Sequence, residues 1–285
     1  MTILSDIRRL TEARRIQQSR RAAVIAALVA SYYRRNVKVD DQRSIDRWLE
    51  MMLPRILEEH GKQAVAAAKY GNTLRTLELG GGRSSYVFEP VEALSLEQLE
   101  RSLRFVGPDR ERKGLEILED RAPYGTPERE GESRDVKISR ANTRKALEEE
   151  VREAATRSVA GAVARHAQNG ARQTTYDNVK ADPVCLGYLR VTKSDPCYFC
   201  AALASRGIIY GEDSFDLSDP RFTGKGTAKV HDSCACALKP VYTDSDEYTV
   251  DAANFEALWD RLSDGGSMYE FRRNYEGRSD GLRLR

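Results

Sequence analysis

Over the first two-thirds of the chain the apolar positions recur at helical spacing. Leu4, Ile7 and Leu10 open a pattern that predicts one helix over residues 1–38, with Thr2 or Ser5 placed to cap its start. Ile45, Trp48, Leu49, Met52, Leu53 and Ile56 follow, each with a partner three or four positions on or back, and predict a second helical stretch over residues 40–70. Pro54 lies inside that stretch and is a candidate kink. Ser95 with Gln98 three residues on is a capping-box pattern and starts a short helix over 96–105. Leu147, Val151, Ala155, Val159 and Val163 stripe a long helix over 139–168, with Gly170 as its stop signal. Between these two lies a stretch, 107–137, dense in charge, glycine and proline, which reads as a linker or long loop.

After residue 178 the pattern changes. Short β-prone pieces at 186–191, 207–210 and 237–242 are separated by turns. A last helix starts near Ala252 on a stripe of Phe255, Leu258, Trp259 and Leu262; Gly265 and Gly266 break it and 268–275 resume it. The expected fold class is therefore helix-rich α+β: long N-terminal helices followed by a small mixed α/β module. The expected divisions are a helical region 1–106, a linker 107–137, a long helix 138–178, a Cys/His module 179–250, and a C-terminal helix with a basic tail, 251–285.

Composition adjusts this picture at three points. The 285 residues leave room for about two domains. Lys and Arg number 46 against 44 acidic residues, and a net charge of +2 excludes nucleic-acid binding through bulk positive charge alone. Locally the balance fails, because residues 1–38 carry nine basic and two acidic side chains. Arg8, Arg9, Arg14, Arg15, Arg20 and Arg21 are thus candidates for contact with an acidic partner or with nucleic-acid phosphates, beside the plainer reading of a solvated helix face. The longest apolar run, 22–30, is half what a membrane span needs, and arginine pairs flank it, so neither a span nor a secretory signal is expected.

The five cysteines are odd in number and four of them form two tight pairs, which argues against a disulfide framework. Cys197 and Cys200 are followed, after 30 intervening residues, by His231, Cys234 and Cys236. In compact form this is C-x2-C-x30-H-x2-C-x-C. A C-x2-C pair directs two thiolates at one tetrahedral metal, and a second Cys/His knuckle supplies the other corners; soft sulfur donors with one imidazole select zinc. Five candidates compete for four corners. Cys197, Cys200 and His231 are common to either solution, and Cys234 and Cys236, two residues apart on one face of an extended chain, contend for the last, with Cys236 slightly favoured. A shell filled by four protein ligands is structural, not catalytic. Cys185 stands outside the pattern as a small buried residue.

Other chemistry is weakly supported. The glycines at 80–82 and 224–226 lack the spacing and Lys-Ser/Thr ending of a phosphate loop. A cytidine deaminase needs His-x-Glu before its Pro-Cys-x2-Cys, and the nearest upstream histidine, His166, is followed by Ala167 and Gln168. A serine protease needs a base, and only His60, His166 and His231 exist; no G-x-S-x-G elbow accompanies them, and Ser84 or Ser85 has no spacing relation to any.

The segment from Pro196 to Leu203, Pro-Cys-Tyr-Phe-Cys-Ala-Ala-Leu, followed by His-Asp-Ser-Cys-Ala-Cys at 231–236, resembles the C-terminal signature of the phage Mu F-like head-morphogenesis proteins. Ala-Ser-Arg-Gly at 204–207 is similar to the version found in phages of actinobacteria. The resemblance covers about residues 180–245. It implies a minor capsid protein of a tailed phage, placed in the virion near the portal and inside the head. Its implied partners are the portal, the major capsid or scaffold protein and packaged DNA. Proteins at this gene position are often labelled capsid maturation proteases, which makes cleavage of scaffold or capsid protein the alternative. A zinc-stapled nucleic-acid-binding module is a third reading.

Overall fold

The computed structural model describes residues 3–80, 85–92, 94–120, 133–208, 234–243 and 247–277. Three long helices form its frame: α1 (Ile3–Asn36), α2 (Gln42–Leu79) and α5 (Arg134–Ala181). Each buries one stripe, and the three stripes meet in a single core built from Ala22, Ala26, Val29 and Tyr33 of α1, Ile45, Trp48, Leu49, Met52 and Ile56 of α2, and Ala155, Val159, Ala162, Val163 and Ala167 of α5. The alanines let the helix backbones approach closely, while Trp48 and Tyr33 are fully buried between the helices, their rings 5.0 Å apart.

The caps are those the residues favour. Asp41 accepts from Arg43 N at the start of α2, and Ser133 accepts from Val136 N at the start of α5. The end of α1 is closed from outside: the Arg152 guanidinium, on α5, donates to the carbonyls of Arg34 at 2.8 Å and Val37 at 2.6 Å. Pro54 sits within α2 without ending it. Its ring is on the exposed face, so the carbonyl left without a donor is open to water.

Two elements depart from the pattern of the sequence. Part of the expected linker is helical: α3 (Leu96–Arg104) runs through a π-helical turn (Phe105–Asp109) into α4 (Arg110–Asp120), and residues 121–132 lie outside the described residues. The turn widens around Pro108 and brings Gly107 against the core. A Cβ on Gly107 would stand 3.0 Å from Val159 and 3.1 Å from Tyr33, so this glycine marks a close contact and not a flexible hinge. Charge density misled there too. Glu111 is buried, accepting from Tyr33 Oη at 2.6 Å and pairing with Arg152 at 2.8 Å. Gly170 likewise does not stop α5. It is the point where α5 crosses α2, and a Cβ there would meet the His60 carbonyl oxygen at 2.2 Å.

The second half packs against the ends of α2 and α5. Strands β1 (Gly187–Val191) and β2 (Ala237–Val241) pair antiparallel, Gly187 opposite Val241 and Val191 opposite Ala237, and all ten residues are buried. No strand begins at 207–208, and 209–210 lie outside the described residues. A two-stranded ribbon is marginal alone. Here α5 flanks it, with α6 (Tyr198–Ala204) and α7 (Glu247–Leu262) around it, and α8 (Met268–Glu276) packs on α6 through Phe271. Two buried ion pairs join this module to the bundle: Lys239 to Glu78 at 2.9 Å and Arg75 to Asp182 at 2.8 Å.

Candidate metal centre

Cys197 is the N-cap of α6, and its Sγ accepts from Cys200 N at 3.4 Å. Cys200 follows in the first turn of α6, and its side chain points back into the module. Cys234 and Cys236 stand immediately before β2. The sulfurs of Cys200 and Cys234 are 3.3 Å apart and those of Cys234 and Cys236 are 2.9 Å apart. All three lie within 4.8 Å of one another and all three residues are buried; Cys197, half-buried, packs against them. The two cysteines expected to compete therefore both enter the cluster. His231 lies outside the described residues.

Three more residues hold this arrangement, and the sequence pattern did not single them out. Arg172 of α5, 1% exposed, donates through Nη2 to the Cys234 carbonyl at 2.9 Å and the Cys236 carbonyl at 3.1 Å. Gln168, one turn earlier, donates to the Cys234 carbonyl at 2.8 Å. Arg190 of β1 donates to Cys236 Sγ at 3.1 Å. One signal was available: an arginine between Leu189 and Val191, in a strand otherwise apolar, needs a buried partner.

The electrostatics follow from the geometry. Hydrogen bonds from Cys200 and Cys234, then the charges of Arg190 and Arg172, hold the Cys236 thiol well below its usual range. Cys200 is pushed up by its thiol neighbours Cys197, Cys234 and Cys236, and by burial. Three buried thiols are close enough to hold a metal ion. A tetrahedral zinc with Zn–S of about 2.3 Å sets its sulfurs about 3.8 Å apart, so the present spacings need to open by less than about 1 Å. Soft donors in a buried pocket fit that ion.

The remaining predicted contact residues separate into two groups. Arg14 and Arg15 are buried, Arg14 donating to the Gln63 carbonyl at 3.1 Å and Arg15 pairing with Glu12; Arg21 forms a two-pronged pair with Glu59 at 2.8 and 3.0 Å. The expected surface of six arginines is thus divided: Arg8, Arg9 and Arg20 are exposed, Arg21 is partly exposed in its pair with Glu59, and only Arg14 and Arg15 lie in the buried stripe of the helix.

A serine–histidine pair does exist. His166 Nε2 and Ser102 Oγ are hydrogen-bonded at 2.8 Å, and His60 Nδ1 meets the His166 carbonyl at 2.9 Å. Burial, followed by the nearby charges of Arg165 and His60, lowers His166 to about 3. Such an imidazole is too weak a base to take a hydroxyl proton near neutrality, and among the described residues no carboxylate is hydrogen-bonded to it. The bond instead ties α3 to α5, and it has a pH signature. The unfolded chain protonates this histidine near pH 6.5 and the folded chain does not, so stability falls as pH drops from about 6.5 toward 3. His166 should account for on the order of several kcal/mol of that loss. Denaturant titrations across this range should show a shallower slope for His166→Gln; equal slopes would refute the assignment.

Comparison with known proteins places this architecture. A family model described as VG15 protein matches residues 119–262, about half of the chain. The chain belongs to the VG15 protein family. This is a family of phage proteins. The matched region contains α5, both strands, α6, α7 and all five cysteines, so the candidate metal centre lies inside the VG15 region, whereas α1 and α2 lie outside it. No curated protein matches the chain, and no solved structure does. Among the described residues no helix is long and apolar enough to cross a membrane.

Proposed function

We propose that this VG15 chain is a head-morphogenesis protein of the Mu F-like type, a minor capsid component of the virion. In this reading its Cys module is a zinc-stapled structural unit. One observation carries it: the cysteines on which the Mu F-like resemblance rests converge in one buried cluster, gripped by Arg172 and Gln168 of the longest helix. Cys200, Cys234 and Cys236 would hold the zinc, which would supply folding energy to a module whose sheet has only two strands. The exposed Arg8, Arg9 and Arg20 offer a contact edge to the portal, to capsid or scaffold protein, or to DNA in the capsid interior.

The test is the composition of heads. Procapsids assembled with and without the gene should be purified and analysed by mass spectrometry. The intact chain should be found in the particles in low copy number, and its omission should reduce DNA-filled heads. Absence from particles would overturn the reading. Loss of capsid-protein processing in Ser102→Ala, with the chain still incorporated, would replace it with the protease reading.

A further inference from the structure

The identity of the metal shell can be taken further, on the reading that the cysteine cluster binds zinc. We propose that the shell is all sulfur, Cys197, Cys200, Cys234 and Cys236, with Arg190 and Arg172 as the positioning residues that make so anionic a centre stable, and with no corner left for His231.

The first support is geometric. Cys197 stands at the edge of the three-sulfur group, yet it packs against that group, and with Cys200 and Cys236 it lines one cavity of about 240 Å³. Its Sγ already accepts the backbone N–H of Cys200. A thiol needs no such donor, whereas a metal-bound thiolate is stabilised by it. Cys197 thus stands beside the three-sulfur group as the fourth sulfur donor, at the cavity it shares with Cys200 and Cys236.

The second support is charge. A zinc ion with four thiolates carries two negative charges; with three thiolates and a neutral imidazole it carries one. Buried charge is tolerated where opposite charge is placed against it. Arg190 touches Cys236 Sγ from β1, and Arg172 reaches the Cys234 and Cys236 carbonyls from α5, where its other partners, Asn169 and Gln168, are neutral. Arg206, partly exposed, lies on the Arg190 side and adds positive potential. Lys193 and Asp195, at the cavity mouth, are exposed and of opposite sign. Among the described residues two buried guanidiniums face the cluster, an environment that favours the doubly negative shell over the singly negative one.

Zinc-edge X-ray absorption on the full chain decides this. Four sulfur neighbours at about 2.3 Å and no nitrogen near 2.0 Å are expected. His231→Ala should keep one zinc per chain and the same spectrum. Cys197→Ala should lower zinc affinity at least tenfold, and Arg190→Leu should lower it while leaving the four-sulfur spectrum of the bound fraction unchanged. If a substituted chain fails to fold, the wild-type spectrum alone is decisive. A nitrogen neighbour that disappears in His231→Ala, or an oxygen in place of the fourth sulfur, would overturn the all-sulfur shell and leave zinc binding standing. A wild-type chain that takes up no zinc would overturn both.

Discussion

Chelation of the metal, or Cys200→Ser, should abolish amide protection across 187–191 and 234–241 and lower the stability of the whole chain by on the order of 5 kcal/mol or more. The size follows from what the cluster replaces. β1 and β2 form a sheet of only two strands, and the segment carrying Cys234 and Cys236 is held in place by its sulfurs and by side chains from α5. Structural zinc in small modules contributes about 10–16 kcal/mol, of which part is recovered here because the bundle also supports the sheet. The damage should spread in a defined direction. Arg172, nearly fully buried, donates to the Cys234 and Cys236 carbonyls; once these move, a guanidinium is stranded in the interior. Protection should therefore fall in the last third of α5, roughly residues 165–181, and persist around Trp48 in α2. Hydrogen exchange read by mass spectrometry, with and without chelator, checks this. Unchanged exchange over 187–241 would rule out a metal staple, and loss confined to the strands would show that α5 is not part of the same unit.

Lys239→Met should cost about 3–5 kcal/mol, the range for breaking one side of a buried ion pair. The Lys239 side chain is 0% exposed and that of Glu78 4%. Glu78 also accepts from Tyr242 N at 3.1 Å, so this one carboxylate of α2 holds β2 by its ammonium and the chain just beyond β2 by its backbone. Removing the lysine takes away the ammonium that sits 2.9 Å from this buried carboxylate. The double variant Glu78→Gln with Lys239→Met removes both charges and keeps an acceptor for Tyr242 N, and should recover more than half of the loss. Urea denaturation of the two variants beside the parent chain measures it. A single-variant cost below 1 kcal/mol, or a double variant no better than the single, would show that the pair is solvated in solution.

These two linkages also show where sequence reasoning ends. The helical stripes were legible because each repeats at a spacing set by backbone geometry: Ile45 to Ile56 in α2 and Ala155 to Val163 in α5 need no knowledge of their partners. The cap at Ser95 and the strand pieces around Leu189 and Leu238 were legible for the same local reason. The cysteine spacing pointed to a cluster because two close pairs of thiols seldom serve another purpose in a chain without a disulfide framework.

Glycine and charge carry no such local meaning. Gly170 has the same signature whether it stops a helix or lets two helices cross, and the His60 carbonyl decides between these uses. Charge density at 107–120 looks like solvated chain until Tyr33 and Arg152 arrive at Glu111 from elements 78 and 41 residues away. The arginines of α1 are alike in sequence, yet the Gln63 carbonyl draws Arg14 inward while Arg8 and Arg20 remain outside. By itself the sequence determined the stripes of the long helices, two of the strand pieces and the grouping of the thiols, since those depend on periodicity and donor type. Only the tertiary structure decided which charges are buried and which side chains close around the sulfurs, since those depend on contacts between residues far apart along the chain.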